Sequence, residues 1–219
     1  MRVLVFQHYH KLPKSTSPKT RVSRLNNLLN ERCISSIKNY CKINKYDYFL
    51  SDKSLGWKYF NKKFNNLVLE RYVLAALKAA EGDYETIAIV DHDFLAISDE
   101  PLPYCPGFAG FHNAIYSRFT KPVVPNKYHD FLFCTGITLW WKDHLHDFAV
   151  YLNEIAGLSG THEKLLMTCL KVHQESFLTH FLQANQHINI ARLDYRFNMK
   201  SFLRDYSKME KHTFIHLQG

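Results

Sequence analysis

The sequence predicts a single α/β domain built on a mostly parallel sheet with helices on its faces. Short β-branched runs alternate with segments of helical period in the order strand, helix, strand, helix, strand, the signature of such a sheet. A chain of 219 residues suits one domain with a real core and is short for two. Hydrophobic residues make up 46% and aromatics 15%, a globular composition, and no apolar run approaches the roughly 18 residues of a membrane helix.

The first strand is expected at RVLVF, Arg2 to Phe6, a short run rich in β-branched residues. The stretch KLPKSTSPKTRVSR follows, with Lys11, Lys14, Lys19, Arg21 and Arg24 set among Ser, Thr and Pro, and reads as an exposed basic loop. Val22, Leu25, Leu28, Leu29, Ile34 and Ile37 recur at roughly helical spacing to about Tyr40. A second strand is expected at YDYFL, Tyr46 to Leu50, then a helix through FNNLVLERYVLAALKAAEG, stopped at Gly82. TIAIVD is the third strand.

Beyond Asp99 the punctuation changes. EPLPYCPG must turn or cross irregularly because of its prolines. Weak strand character follows near Gly107 to Phe111, a loop from Lys121 to Asn126, and a buried strand at FLFCTGITLWW, Phe131 to Trp141, with a close backbone approach at Gly136. Helices are expected around Lys142 to Ile155 and from Thr161 to about Gln183, the second broken near His173. There is no repeat, low-complexity tract or domain linker.

The N-terminus does not read as a secretory signal, and five cysteines without CxxC spacing suit a reducing compartment, so a cytoplasmic location is expected. The net charge of +8 implies attraction to something anionic, such as a nucleotide, a phospholipid surface or nucleic acid.

The chemistry concentrates in IVDHDFLAI. If the strand continues, Asp91 and Asp93 point to one face and His92 to the other. Ligands of open α/β sheets bind beyond the carboxyl ends of the strands, where this pair falls. Adjacent carboxylates repel unless a cation lies between them, and a hard divalent ion sharing substrate phosphate oxygens answers that need. An EF-hand would need glycine where Ala96 stands. A haloacid-dehalogenase-like phosphatase, with Asp91 as nucleophile, also places DxD after an apolar strand, and a charged turn into solvent is the bland alternative. The chain has no GxGxxG, no P-loop, no GxSxG and no zincin histidine pair.

With LERYVL, IVDHDFLAI, FCTGITLWW, HQESFL, ARLDYRFN and FIHLQG in that order, the chain resembles the GT-A glycosyltransferases of the glycogenin and lipopolysaccharide galactosyltransferase type. The resemblance spans about Arg71 to Gly219. It implies a single GT-A, Rossmann-like domain over 1–219, with a mixed, mostly parallel central sheet flanked by helices. Residues 1–99 would form the nucleotide-binding half and 100–219 the acceptor-binding half.

It further implies a nucleotide sugar donor, a UDP-sugar by the family's habit, and Mn²⁺ or Mg²⁺ held by Asp91, Asp93 and His216. An imidazole beside carboxylates favours Mn²⁺. Arg71, with Lys62 and Lys63 one or two turns earlier as rivals, and Asp91 and His92 are the implied donor contacts. The pattern departs at Cys134, where the family has asparagine, and at His173, where it has aspartate. Gln174 is then the match and Glu175 a displaced carboxylate, the two candidate catalytic residues near the anomeric carbon. Trp140 or Trp141 would contact acceptor if either faces the cleft, and since they point opposite ways at least one belongs to the core. The acceptor is a glycan or lipid-linked saccharide, or DNA, which the positive charge would favour. Outside this class, the phosphatase and a non-enzymatic nucleic-acid-binding protein remain the competing functions.

Overall fold

The computed structural model describes residues 1–9, 20–56, 66–112, 133–157, 174–197, 199–200 and 213–216. Strand β1 (Val3–His8) leads to helix α1 (Thr20–Asn44), then β2 (Asp47–Ser51), α2 (Asn66–Ala80) and β3 (Thr86–Val90). A short β4 (Phe94–Ala96) is followed by β5 (Phe108–His112), β6 (Phe133–Trp141), α3 (Lys142–Gly157) and α4 (Gln174–Ala184). The chain then forms β7 (Ile190–Arg192), a 3₁₀ turn at Tyr195–Phe197, β8 (Met199–Lys200) and β9 (Phe214–His216).

The main sheet has the order β2-β1-β3-β6-β5-β7. β1 runs parallel to β2 and β3, and β5 parallel to β7, while β6 lies antiparallel between β3 and β5. It is therefore the mixed, mostly parallel sheet the sequence implied. Strands buried on both faces need apolar residues at consecutive positions, which explains why VLVF and TIAIV show no alternation. On one face Val3, Val5, Ala88 and Val90 meet Ile37, Tyr40 and Cys41 of α1. On the other, Leu4, Phe6, Ile87 and Ile89 meet Leu69, Tyr72 and Val73 of α2, together with Phe148 of α3 and Phe181 of α4.

α1 buries Cys33, Ile37, Tyr40 and Cys41, spaced as one stripe of a 3.6-residue repeat. It ends in a left-handed residue, Lys45 with φ 58°, so that Tyr46 N donates to Cys41 O and Lys45 N to Lys42 O at 2.8 and 3.4 Å. This pair of bonds is a Schellman cap. The start of α1 at Thr20 puts Arg21 and Arg24 in a helix rather than in the expected loop. Lys11, Lys14 and Lys19, the 121–126 loop, and His173 with the helix expected to precede it lie outside the described residues.

The weakly read strand near Gly107 is real. A Cβ on Gly107 would stand 2.2 Å from the backbone oxygen of Asn189, so only glycine lets the chain pass there beside the start of β7. A smaller sheet, β4-β9-β8, contributes Phe94 and Phe214 to the core on the α1 side, with β9 antiparallel to β4. Among the described residues, no helix is long and apolar enough to cross a membrane.

Candidate active site

β1, β2 and β3 all end at one edge of the sheet, and antiparallel β6 begins there. β3 stops at Val90, one residue short of the first carboxylate. Asp91 N donates to Gly136 O at 2.8 Å, and Phe94 N returns to Asp91 O at 3.3 Å, closing a turn over His92 and Asp93 before β4 begins. The expectation that Asp91 and Asp93 share a strand face is thereby corrected. They occupy a turn, and β-strand alternation does not govern their directions.

The two carboxylates have different neighbours. Asp91 pairs with Arg71 Nη1, whose Nη2 also donates to Thr135 O. This one guanidinium ties α2, the end of β3 and the start of β6 together, and its Cζ lies 5.2 Å from the centre of the Tyr72 ring. Among the described residues its Nε has no hydrogen-bond partner. Asp93 lies on the α1 side, where its negative charge adds to burial in pushing the Cys33 thiol up to about 11. Glu70, next to Arg71 in sequence, is buried and accepts from Ser54 Oγ and Leu55 N at 2.9 and 2.7 Å, pinning the stretch after β2.

Around the turn lie groups that sequence reasoning did not single out. Gln7, fully buried, donates from Nε2 to Asp91 O at 2.9 Å, while its Oε1 accepts from the Tyr48 hydroxyl at 2.9 Å. Its signal in the sequence is a polar residue in phase with Val3 and Val5, at the end of an apolar strand. Tyr9 follows β1 directly, held by its N–H on Ser51 O at 2.9 Å, and its ring lies 5.0 Å from that of His92. His92 and Tyr9 thus cap the adjacent ends of β3 and β1. His8 is buried, with Nε2 at 2.6 Å from Lys53 O.

The backbone brings the last expected ligand position to this turn. β9 pairs with β4 so that His216 stands opposite Phe94, the residue after Asp93. Hydrogen-bonded strands lie about 4.8 Å apart, so His216 and Asp93 are close neighbours although far apart in sequence. Among the described side chains no group of three or more His, Cys, Asp or Glu forms a metal-holding cluster. The donor set suits a hard or borderline divalent ion: two carboxylates on one turn, with a histidine position registered beside them.

The remaining expected residues fall less centrally. Gln174 opens α4, with Glu175 second, as a helix beginning at that motif requires. Cys134 is buried in β6 opposite Phe111. Trp140 is fully buried against Phe108, Tyr72 and Phe148, and its Nε1 donates to Thr138 Oγ1 at 3.0 Å. It is core rather than an acceptor contact, and the half-buried Trp141 pairs with Thr86 at the start of β3, the sheet edge away from the DxD turn. Lys62 lies outside the described residues.

The chain has the GT-A glycosyltransferase fold, a mixed and mostly parallel six-stranded sheet flanked by helices. A glycosyltransferase involved in the glycosylation of the major capsid of PBCV-1 superposes over 100% of this chain and 94% of its own, with a TM-score of 0.63 at 15% identity. The galactosyltransferase LgtC, solved with donor and acceptor sugar analogs, superposes over 99% of this chain and 87% of its own, with a TM-score of 0.51 at 10% identity. At these identities the likeness is one of fold. No protein family matches the chain by sequence, and no curated protein does.

Proposed function

We propose that this chain is a glycosyltransferase that moves a sugar from a nucleotide diphosphate sugar, a UDP-sugar, to a saccharide acceptor such as a glycan or lipid-linked saccharide. The observation that carries this reading is the pairing of β9 with β4, which brings the His216 position beside the Asp91–Asp93 turn at the carboxyl edge of a GT-A sheet. Asp91, Asp93 and His216 would hold Mn²⁺ or Mg²⁺. When bound, such an ion supplies Lewis-acid neutralisation of the departing diphosphate.

The chain's own groups supply the rest. Arg71 holds Asp91 in place and keeps a fixed positive charge at the edge where the diphosphate would lie. The Tyr9 and His92 rings offer an aromatic platform for the nucleotide base or its ribose. Gln174 and Glu175, at the start of α4, are assigned to the donor's anomeric carbon, and Lys62 to its phosphates. The basic stretch Lys11–Arg24 favours any phosphate-bearing ligand.

The reading is tested by titrating the protein with UDP in the presence and absence of Mn²⁺, and by following UDP release from a panel of UDP-sugars. Asp93→Ala should abolish metal-dependent UDP binding while leaving the circular dichroism spectrum unchanged. Unchanged affinity in that variant would remove the site from consideration. Release of inorganic phosphate from phosphomonoesters, lost in Asp91→Asn, would instead establish the phosphatase. Binding of duplex DNA that weakens steeply with salt would move the acceptor to DNA.

A further inference from the structure

Glu100 lies in the Pro-rich crossing after β4, away from the DxD turn, yet it is the hub of a polar cluster that grips strand β9. Its Oε2 accepts from Thr213 Oγ1 at 3.0 Å, and its Oε1 pairs with Arg196 Nη1 at 2.7 Å. Arg196 is oriented from its other side by Asp194, 3.2 Å from its Nε. The backbone of the same residues closes the ring, with Thr213 N donating to Arg196 O at 2.8 Å and Ile97 N to Thr213 O at 3.0 Å. Glu100 is itself moored, its N–H on Ser98 Oγ at 3.3 Å and its carbonyl on the Tyr40 hydroxyl at 2.7 Å.

Thr213 is fully buried and immediately precedes β9. Phe214, next in line, packs edge-on against Tyr40, Phe94 and Phe197. Two anchors therefore fix the start of a three-residue strand whose last residue is His216. A strand this short cannot hold its own register, because its few ladder bonds are offset by the entropy of ordering the chain. What sets the position of His216 relative to Asp93 is the anchorage at Thr213 and Phe214.

We propose that Glu100 is a positioning residue: through Thr213 and Arg196 it latches β9 onto β4, just after the DxD turn, and so sets where His216 meets a divalent ion. This rests on the metal-binding reading above. Groups bonded directly to a metal ligand commonly change affinity 10- to 100-fold when removed, and Glu100, which acts a step further back through Thr213, belongs at the lower end. By linkage, a bound ion must in turn tighten the latch.

The test reads the latch and the ion separately in the full chain. Hydrogen–deuterium exchange at the Phe214–His216 amides should accelerate in Glu100→Ala, with β1 amides unchanged as the internal reference. Glu100→Gln, which keeps an acceptor for Thr213, should restore part of the protection. Mn²⁺ affinity, read by electron paramagnetic resonance without donor, should fall about 10-fold in Glu100→Ala. In the His216→Ala background the same substitution should cost nothing further. Unchanged exchange at β9 overturns the latch. Faster exchange with unchanged Mn²⁺ affinity, or equal losses in both backgrounds, overturns the positioning of His216. Absence of Mn²⁺ binding in the unsubstituted protein overturns the metal reading itself, and the exchange arm then still decides the latch.

Discussion

Arg71 of α2 and Asp91 of the turn after β3 form an ion pair whose side chains are 5% and 25% exposed, with the arginine's second amino group on Thr135 O. Removing one member of such a pair strands the other's charge in a poorly hydrated place. Arg71→Ala should therefore cost about 3 kcal/mol, the lower end for buried pairs because Asp91 keeps some water contact. Adding Asp91→Asn to Arg71→Ala should recover much of that loss, whereas Arg71→Lys cannot serve both acceptors from one nitrogen and should recover little. Urea unfolding at neutral pH measures all of these. Equal stability of Arg71→Ala and the parent would show that the pair does not persist in solution.

A second expectation concerns Lys45, whose φ of 58° closes the Schellman cap of α1. An L-residue in that conformation costs about 1–2 kcal/mol, and a glycine there costs less than that in extra unfolded-chain entropy. Lys45→Gly should raise the stability by up to about 1 kcal/mol, read as a higher urea midpoint with an unchanged slope. A lower midpoint would mean that the lysine side chain contributes more than its backbone costs.

Most of the sheet was legible because doubly buried strands need nearly unbroken apolar runs, which VLVF and TIAIV provide, while FCTGITLWW carries its two threonines buried in the sheet. The DHD motif was legible as chemistry but not as geometry. A strand rule put Asp91 and Asp93 on one face, whereas Phe94 N on Asp91 O folds them into a turn. Nothing local encodes that turn, since Gly136 O and Gln7, which hold Asp91 in place, come from strands distant in sequence. Arg71 was named from its place before the motif, but its pairing with Asp91 was not legible, because the two meet only once α2 and β3 are packed together. Glu100 gave no signal at all, being one carboxylate in a Pro-rich crossing whose partners lie about a hundred residues on.

A third expectation is a loss of stability in alkali. Burial pushes the thiols of Cys33 and Cys105 up to about 11 and that of Cys41 to about 12, from an ordinary value of 9.0. A raised acid pKa means that the folded state keeps a proton the unfolded chain releases. The contribution is therefore complete below pH 9.0 and is lost as pH climbs through the folded values near 11 and 12. Each thiol contributes a slope of about 1.4 kcal/mol per pH unit within its window. Urea midpoints should be level from pH 7 to 8.5 and fall above pH 9, less steeply in Cys41→Ala, and a thiol reagent at pH 8 should label these cysteines only after unfolding. A profile flat to pH 10.5 would place the thiols in contact with water.

The last expectation separates the support beneath the DxD turn from the turn itself. Tyr48 OH donates to Gln7 Oε1, and Gln7 Nε2 donates to Asp91 O, both at 2.9 Å, so the tyrosine decides which way the buried amide faces. Gln7→Leu deletes both bonds and leaves a phenol without its acceptor, which should cost about 2 kcal/mol, while Tyr48→Phe removes one bond and should cost about 1. Because the phenol has nothing to donate to once Gln7 is leucine, the double variant should be less destabilised than the two losses added together, by at least about 0.5 kcal/mol. The same order should appear at the site. Asp91 O keeps its bond from Phe94 N at 3.3 Å, so the turn survives in either variant, without the Gln7 bond in Gln7→Leu and with that bond less firmly oriented in Tyr48→Phe. Mn²⁺-dependent UDP affinity should then fall several-fold in Gln7→Leu and less in Tyr48→Phe, with both proteins still folded. Strict additivity of the two stability losses would show that the tyrosine does not orient the amide, and unchanged UDP affinity in Gln7→Leu would show that Asp91 is positioned by Arg71 and the β6 backbone alone.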